Sequence, residues 1–401
     1  MNSYAKAGVD YTKIAGFKKI MRDLARKTAH FPQRRGVFVS GAITHAHGAI
    51  YEYRDKTPCL FVQTIEGLGK KNWIAERMYC FRADGKTYHR GIAIDIALAA
   101  VNDCIAHGAM PVILTDKIAS PSSAWFTDLS RARDLAFGFE EICRMVGMAI
   151  PQGESAVIQD DYEYPIFSGC VTGIVTPLTN LITRDRIEAG DAIIGVASSG
   201  LHANGSSLIL DVAATLKHDI LTPIPRIGKS LGEEALTPTL SYVRLVEALL
   251  ENRVPLHGII PGTGGGLSKL AIHDVPYTYV VERSLSVPKI FLFMRSCGVP
   301  LRDCLTTFNW GIGYYLFVPK NNVEQTLVIG ASAGYKLMQI GFVERGERQV
   351  IFEPAGEILM PPESVTEEKF RDSRATGKDP MFGYGSTTPP LPPSSTQKTF
   401  E

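Results

Sequence analysis

Between Arg35 and Thr64 the apolar positions fall in three short runs, GVFVSGA, HGAIYEY and CLFVQTI, each bounded by turn-forming residues. That pattern predicts strands, the third nearly continuous in apolar character. A polar loop follows, Glu66-Gly67-Leu68-Gly69-Lys70-Lys71. From Gly91 to Ala109 the chain reads GIAIDIALAAVNDCIAHGA, rich in alanine and free of proline. This predicts a helix of about five turns. Pro111 opens PVILTDKIA, read as a buried strand. Asp128 to Val146 reads as a second helix, capped by Thr127 or Asp128, and Phe167 to Val175 as a further strand.

The character changes near 178–190, where RDRIEAGD forms a polar turn before the strand AIIGVAS. Beyond it, helices are expected over Asn204–Leu216, Ser241–Glu251, Gly265–Ile272, Pro288–Ser296 and Val323–Ala331. They alternate with strands over Tyr277–Val281, Gly313–Val318 and Lys336–Val343. Such alternation predicts an α/β or α+β layered fold. The expected domains are 1–180 and 181–360. A tail over 361–401, rich in Pro, Ser and Thr, is expected to be disordered, its PPLPP stretch favouring polyproline II.

With 42 basic and 41 acidic residues, the chain has no global field to hold a nucleic-acid backbone. Seven scattered cysteines without a CxxC pair argue against a disulfide framework or structural zinc. No apolar run approaches the roughly 18 residues of a membrane span. The first residues, MNSYAKAGVDYTKIAGF, lack an apolar signal core, so the expected location is the cytoplasm.

The chemistry-bearing motifs favour phosphate over nucleophilic catalysis. In Glu66–Lys71, glycines open the backbone to a phosphate, lysines add charge and Glu66 can contribute to Mg²⁺ binding. The same stretch also reads as a polar turn. Asp95 and Asn102 share a face of the long helix, with Asp103 about 100° round from Asn102. They line a polar site or form an exposed stripe. Gln152-Gly153-Glu154-Ser155 sets a carboxylate beside glycine at an expected strand end. Ser198–Gly205 and Pro261–Gly266 each lie between a strand and a helix, where open N–H groups can bind an anion. Thr306–Gly313 enters a strand. There is no GxSxG elbow or HExxH.

In this order the motifs resemble the aminoimidazole ribonucleotide synthetase (phosphoribosylformylglycinamidine cyclo-ligase) family. Tyr4-Ala-Lys6-Ala-Gly-Val-Asp10, Val101-Asn102-Asp103, Gly153-Glu154-Ser155, Ser199-Gly200-x-His202-x-Asn204-Gly205, Thr263–Gly266 and Thr307–Gly313 carry the likeness, over about residues 4–353. The resemblance implies two α/β domains and a homodimer whose N-terminal sheets form a barrel across the interface. It implies ATP-dependent closure of the imidazole ring from formylglycinamidine ribonucleotide in purine biosynthesis, with ATP and Mg²⁺. Carried over, Lys71, Asp103, His202 and Asn204 are catalytic. Lys6, Glu66, Gly67, Gly69, Asp95, Asn102, Gly264, Gly265 and Gly266 bind the cofactor. Glu66, Asp103 and Glu154 hold the metal. Lys71 is expected to neutralise phosphate charge, and His202, Asn204 and Gly264–Gly266 to face the substrate. The sequence departs from the family at Glu66 and Lys70, in QGES, at Val157, and at His45 and His47. Two other readings stand beside this one: an ATP-binding paralogue with another small substrate, and a non-catalytic paralogue.

Overall fold

The computed structural model describes residues 11–40, 48–82, 84–158 and 163–362. Lys6, His45, His47 and the tail beyond 362 lie outside the described residues. The N-terminal half contains α1 (Tyr11–Thr28), the hairpin β1 (Val37–Val39) and β2 (Tyr51–Tyr53), then β3 (Leu60–Gly67) and α2 (Lys71–Arg82). It continues with α3 (His89–Ile105), β4 (Met110–Ser120), α4 (Leu129–Val146), β5 (Ala149–Val157) and β6 (Ile166–Val175). Four strands form a sheet in the order β3-β6-β4-β5, with only β4 and β5 parallel.

Strand β3 shows the two-residue alternation of a half-covered sheet. Leu60, Val62, Thr64 and Glu66 turn inward, while Phe61, Gln63, Ile65 and Gly67 stay exposed. Thr64 Oγ1 donates to Ala100 O at 2.8 Å, tying this inner face to α3. Helix α3 is apolar nearly all round, as a helix enclosed by other layers must be; Ile92, Ile96, Val101 and Ile105 are all fully buried. Asp128 caps α4 by accepting from Ser130 and Arg131 N–H. In this half two helices escaped the sequence reading. Helix α1 buries Ile14, Phe17 and Leu24 on one stripe, and α2 begins within what reads as a loop.

The C-terminal half comprises β7 (Ala192–Ala197), α5 (Ser206–Ala213), α6 (Leu231–Ala235), α7 (Val243–Glu251), β8 (Gly258–Pro261) and β9 (Tyr277–Val281). Then come α8 (Lys289–Ser296), α9 (Leu301–Thr307), β10 (Ile312–Val318), α10 (Val323–Ser332), β11 (Leu337–Arg345), β12 (Gln349–Phe352) and β13 (Glu357–Leu359). Its seven strands run β13-β12-β9-β11-β7-β10-β8. Every residue of β10 is buried, so this strand lies at the centre of the core. The helix expected over Gly265–Ile272 is a 3₁₀ segment, Gly266–Ile272, kinked at Ala271.

Candidate functional site

Three loops meet at one end of the second sheet. Asn309 donates through Nδ2 to Gly200 O (2.7 Å) and Leu201 O (3.3 Å), while its Oδ1 accepts from Ser198 Oγ and Gly311 N, each at 2.9 Å. This one amide joins the Thr306–Gly313 loop to Ser198–Gly205. Gly262 N donates to Gly313 O at 2.9 Å, drawing in the third loop. There Gly264, Gly265 and Gly266 have φ of 61°, 82° and 54°, a left-handed run that side chains rarely tolerate. A Cβ added to Gly264 would lie 3.9 Å from Asn204 Nδ2, so Asn204 and the glycine turn are neighbours. The turn also folds Lys269 back, where its Nζ donates to Thr263 O at 2.7 Å and approaches Thr263 Oγ1 at 3.3 Å.

Beside this turn is a cavity of about 220 Å³, lined by Thr64, Asp103, His107, Arg184, Pro261 and Lys269 among others. Asp103 Oδ1 is buried there without a hydrogen-bond partner. Burial pushes the Asp103 carboxyl up, against the pull of Lys269, His107 and Arg184. Glu66 is pushed up to about 7, first by burial and then by the charge of Asp103, with Lys269 opposing. Burial pulls Lys269 down while the charges of Asp103 and Glu66 hold it up. The cavity thus combines the Asp103 carboxylate with two cations, Arg184 and Lys269, from distant parts of the sequence. Lys269 and Arg184 were not among the expected site residues.

Four expected site residues have other partners. Lys71 is fully buried, its Nζ 2.7 Å from Asp95 Oδ2 and donating to Thr237 O at 2.9 Å. It neutralises Asp95 in place of the expected phosphate. Burial pushes Asp95 up and Lys71 down, and each charge counters the other's shift. Asp95 Oδ1 also accepts from Thr239 N (2.7 Å) and Thr239 Oγ1 (2.6 Å). Asn102 donates to Leu240 O at 3.0 Å, accepts from Tyr242 N at 3.3 Å, and offers its backbone O to the Tyr314 hydroxyl. Lys71, Asp95 and Asn102 therefore clamp the 237–242 strap onto α3 instead of lining a cofactor site. His202 is buried and does not face a cleft. Its Nε2 accepts Ser199 N–H at 3.1 Å, and burial, then the charge of Lys71, pulls its pKa down to about 3. Glu66 and Gly67 form the last rungs of β3, and Gly69 (φ 63°) turns the chain into α2. Lys70 holds its ammonium 5.2 Å from the Trp73 ring centre.

The expected three-carboxylate metal site does not assemble within the chain. Glu154 lies inside β5, not at its end, and pairs in register with Lys117, which pairs with Ser168, itself opposite Gly67. Glu66 belongs to the adjacent row, Glu66–Gly169–Asp116–Gly153. The two glutamates are thus three strands apart, about 14 Å, and on opposite faces. Asp103 shares its cavity with Lys269 and Arg184, while Glu66 sits beside Gly169, level with Ile96 on α3, so these residues do not assemble a site for a resident divalent ion within the chain. The missed residue in that row is Asp116, whose charge inside an apolar strand was the available signal. Its buried Oδ1 has no partner, and burial, with the charge of Glu154, pushes it up to about 7. A Cβ on Gly153 would collide with this carboxylate, which accounts for the glycine. Among the described residues Glu188, Asp191 and His257 have ligand spacing for a cation. Asp191 is already satisfied by His257 Nδ1 at 2.9 Å and Glu188 N–H at 3.0 Å.

The two sheets, the strap and the loop cluster define a class of fold found in solved structures. The hydrogenase maturation protein HypE in complex with ATP aligns with a TM-score of 0.56 at 17% identity, over 80% of this chain and 90% of that one. Residues 49–175 match the AIR synthase related protein N-terminal domain, and residues 188–353 its C-terminal domain. Phosphoribosylformylglycinamidine cyclo-ligase of Lactobacillus helveticus is 35% identical over 372 residues, covering 88% of this chain and 99% of that protein. The protein of the same name from Caldicellulosiruptor bescii is 33% identical over 363 residues, covering 88% and 99%. The chain belongs to the phosphoribosylformylglycinamidine cyclo-ligase (AIR synthase) family.

Proposed function

We propose that this chain is an ATP-dependent cyclo-ligase that converts formylglycinamidine ribonucleotide to aminoimidazole ribonucleotide, releasing ADP and phosphate in purine biosynthesis. The observation that carries this reading is the end-to-end likeness to relatives bearing the cyclo-ligase name. ATP phosphorylates the formamide oxygen, making it a leaving group, and the neighbouring nitrogen attacks to close the ring. Such chemistry asks for positioning and charge neutralisation, not a covalent nucleophile. Asn204 and Gly264–Gly266 position the substrate. Asp103, Lys269 and Arg184 balance the charge that develops beside them. Glu66, Gly67 and Gly69 border the same region, while His202, Lys71, Asp95 and Asn102 hold its frame. Mg²⁺ would enter with the nucleotide's phosphates. Purified protein supplied with ATP, Mg²⁺ and formylglycinamidine ribonucleotide should form ADP and aminoimidazole ribonucleotide in equal amounts. ADP release without the imidazole product would favour a paralogue with another substrate, and no nucleotide binding by calorimetry a non-catalytic one.

The working enzyme is a homodimer in the cytoplasm, with domains over 1–180 and 181–360. Support for the dimer comes from Ile65 and Phe61, which remain 72% and 58% exposed on a face of β3 that no helix covers among the described residues. A second copy laid on this face continues the sheet toward a barrel. Ile65→Asp should shift the protein from dimer to monomer in sedimentation velocity. An unchanged wild-type-like dimer would remove this face from the interface. Among the described residues no helix is long and apolar enough to cross a membrane.

A further inference from the structure

We propose that the cavity under α1 binds a small amine that also carries an anionic group, with Asp116 taking the ammonium end. Helix α1 is fixed to the N-terminal half on either side of this cavity. Phe17 packs edge-on against Phe126, ring centres 5.1 Å apart, and Thr28 Oγ1 accepts from Ile150 N at 3.1 Å. Between these anchors α1 stands off β5 and leaves a space of about 240 Å³. That is room for about eight groups of water's size. Its floor is Asp116, only 7% exposed, whose buried Oδ1 has no hydrogen-bond partner. Gly153, opposite Asp116 in register, has no side chain to cover the carboxylate. Phe17, Met21, Ala25 and Ile150 give apolar walls, and Lys18 and Arg22 stand one turn apart on the same face of α1. A buried carboxylate without a donor is costly, and a charged donor offsets that cost best. A divalent metal ion is a poor occupant, because it needs several oxygens and the cavity sets one carboxylate beside two cations. Water is a poor one too, since a buried water makes about three hydrogen bonds and Gln152 Oε1, on the cavity wall, is already taken by Ala49 N–H at 2.8 Å. An ammonium on Asp116 with its anionic end toward Lys18 and Arg22 answers both signs of charge.

None of these residues takes part in the ring-closing reading, so the test needs no turnover and uses the full-length protein without nucleotide. The probe is O-phosphoethanolamine, with ethanolamine and inorganic phosphate as controls. Calorimetric titration is run at about pH 8, where a carboxyl pushed up to about 7 is ionised. O-phosphoethanolamine should bind once per chain, at least about tenfold more tightly than either control. Asp116→Asn keeps the shape, removes the buried charge and should weaken the probe at least about tenfold. Arg22→Gln should weaken the probe and leave ethanolamine unchanged. Ala25→Met fills the cavity from α1, leaves Asp116 intact and should abolish binding, so the outcome does not hang on one variant folding. Absence of saturable binding at millimolar probe would overturn the proposal, the carboxyl then holding only a proton or water. Undiminished binding by Asp116→Asn or Ala25→Met, each verified as folded by circular dichroism, would overturn it as well, because the probe then sits elsewhere.

Discussion

Asp95→Asn keeps the shape of the side chain and removes one charge from the buried Lys71–Asp95 pair. The new amide can still accept from Thr239, but its NH₂ group then faces the Lys71 ammonium, donor against donor. Removing one partner of a buried ion pair costs about 3–5 kcal/mol, because the remaining charge is buried without compensation. A second route sets a ceiling. Lys71 escapes by losing its proton, and holding a lysine neutral at pH 7, about 3.4 pH units below its ordinary pKa, costs about 4.6 kcal/mol. The two routes agree, so the expected loss is about 3–5 kcal/mol in urea unfolding followed by circular dichroism. The pH dependence carries the diagnosis. In the variant the folded protein binds fewer protons at Lys71 than the unfolded chain does, so the deficit shrinks as pH rises, by up to about 1.4 kcal/mol per pH unit. The double variant Lys71→Met/Asp95→Leu should recover most of the loss, since apolar replacement of a whole pair is often neutral. A deficit under about 1 kcal/mol with no pH slope would refute the assignment of an uncompensated lysine.

Gly153→Ala forces a methyl group onto the Asp116 carboxylate and should lower stability by about 1–3 kcal/mol, read as a reduced melting temperature. Glu66, raised to about 7 in the folded chain, favours folding below its unfolded pKa near 4.3 and loses that contribution as pH rises through 7. Glu66→Gln should therefore match wild type near pH 4 and exceed it modestly above pH 7 in thermal melts. His202, held to about 3, must gain a proton on unfolding in acid, so wild-type stability falls as pH drops below about 6.5. His202→Asn, which tolerates the left-handed backbone at this position (φ 59°), should show a shallower loss between pH 7 and pH 5 in urea titrations.

The short strands β8, β12 and β13, of three or four residues each, were not legible, whereas helices α3 and α4 and strands β7, β9, β10 and β11 were, because each carries a consistent apolar run. Their boundaries moved by a few residues, as with α3, which ends at Ile105 and not Ala109. Helix α1 was passed over although Ile14, Phe17 and Leu24 sit at helical spacing, because Gly16 and a run of lysines dilute the pattern. In the site, Asp103, Asn204 and the glycine turn could be picked out as unusual residues at element ends. Lys71, Asp95 and Asn102 look the same in sequence, being polar groups in apolar surroundings. What separates them is a partner strap more than 130 residues away, which no local pattern reveals. Glu154 failed for a simpler reason. Strand parity decides which face a carboxylate serves, and the length of β5 was not readable from the short apolar start MAI.

The clamp on the 237–242 strap also dictates an order of events during synthesis. Thr239 follows Asp95 by 144 residues. At about 5–20 residues per second, the ribosome delivers it some 7–30 seconds later. Throughout that interval Lys71, Asp95 and Asn102 lack the strap groups they bind, Thr237, Thr239, Leu240 and Tyr242, although Lys71 and Asp95 already have each other. The nascent N-terminal half is therefore a waiting intermediate that depends on the rest of the chain to close it, and pausing or truncation before residue 242 would leave it exposed to chaperones and proteases.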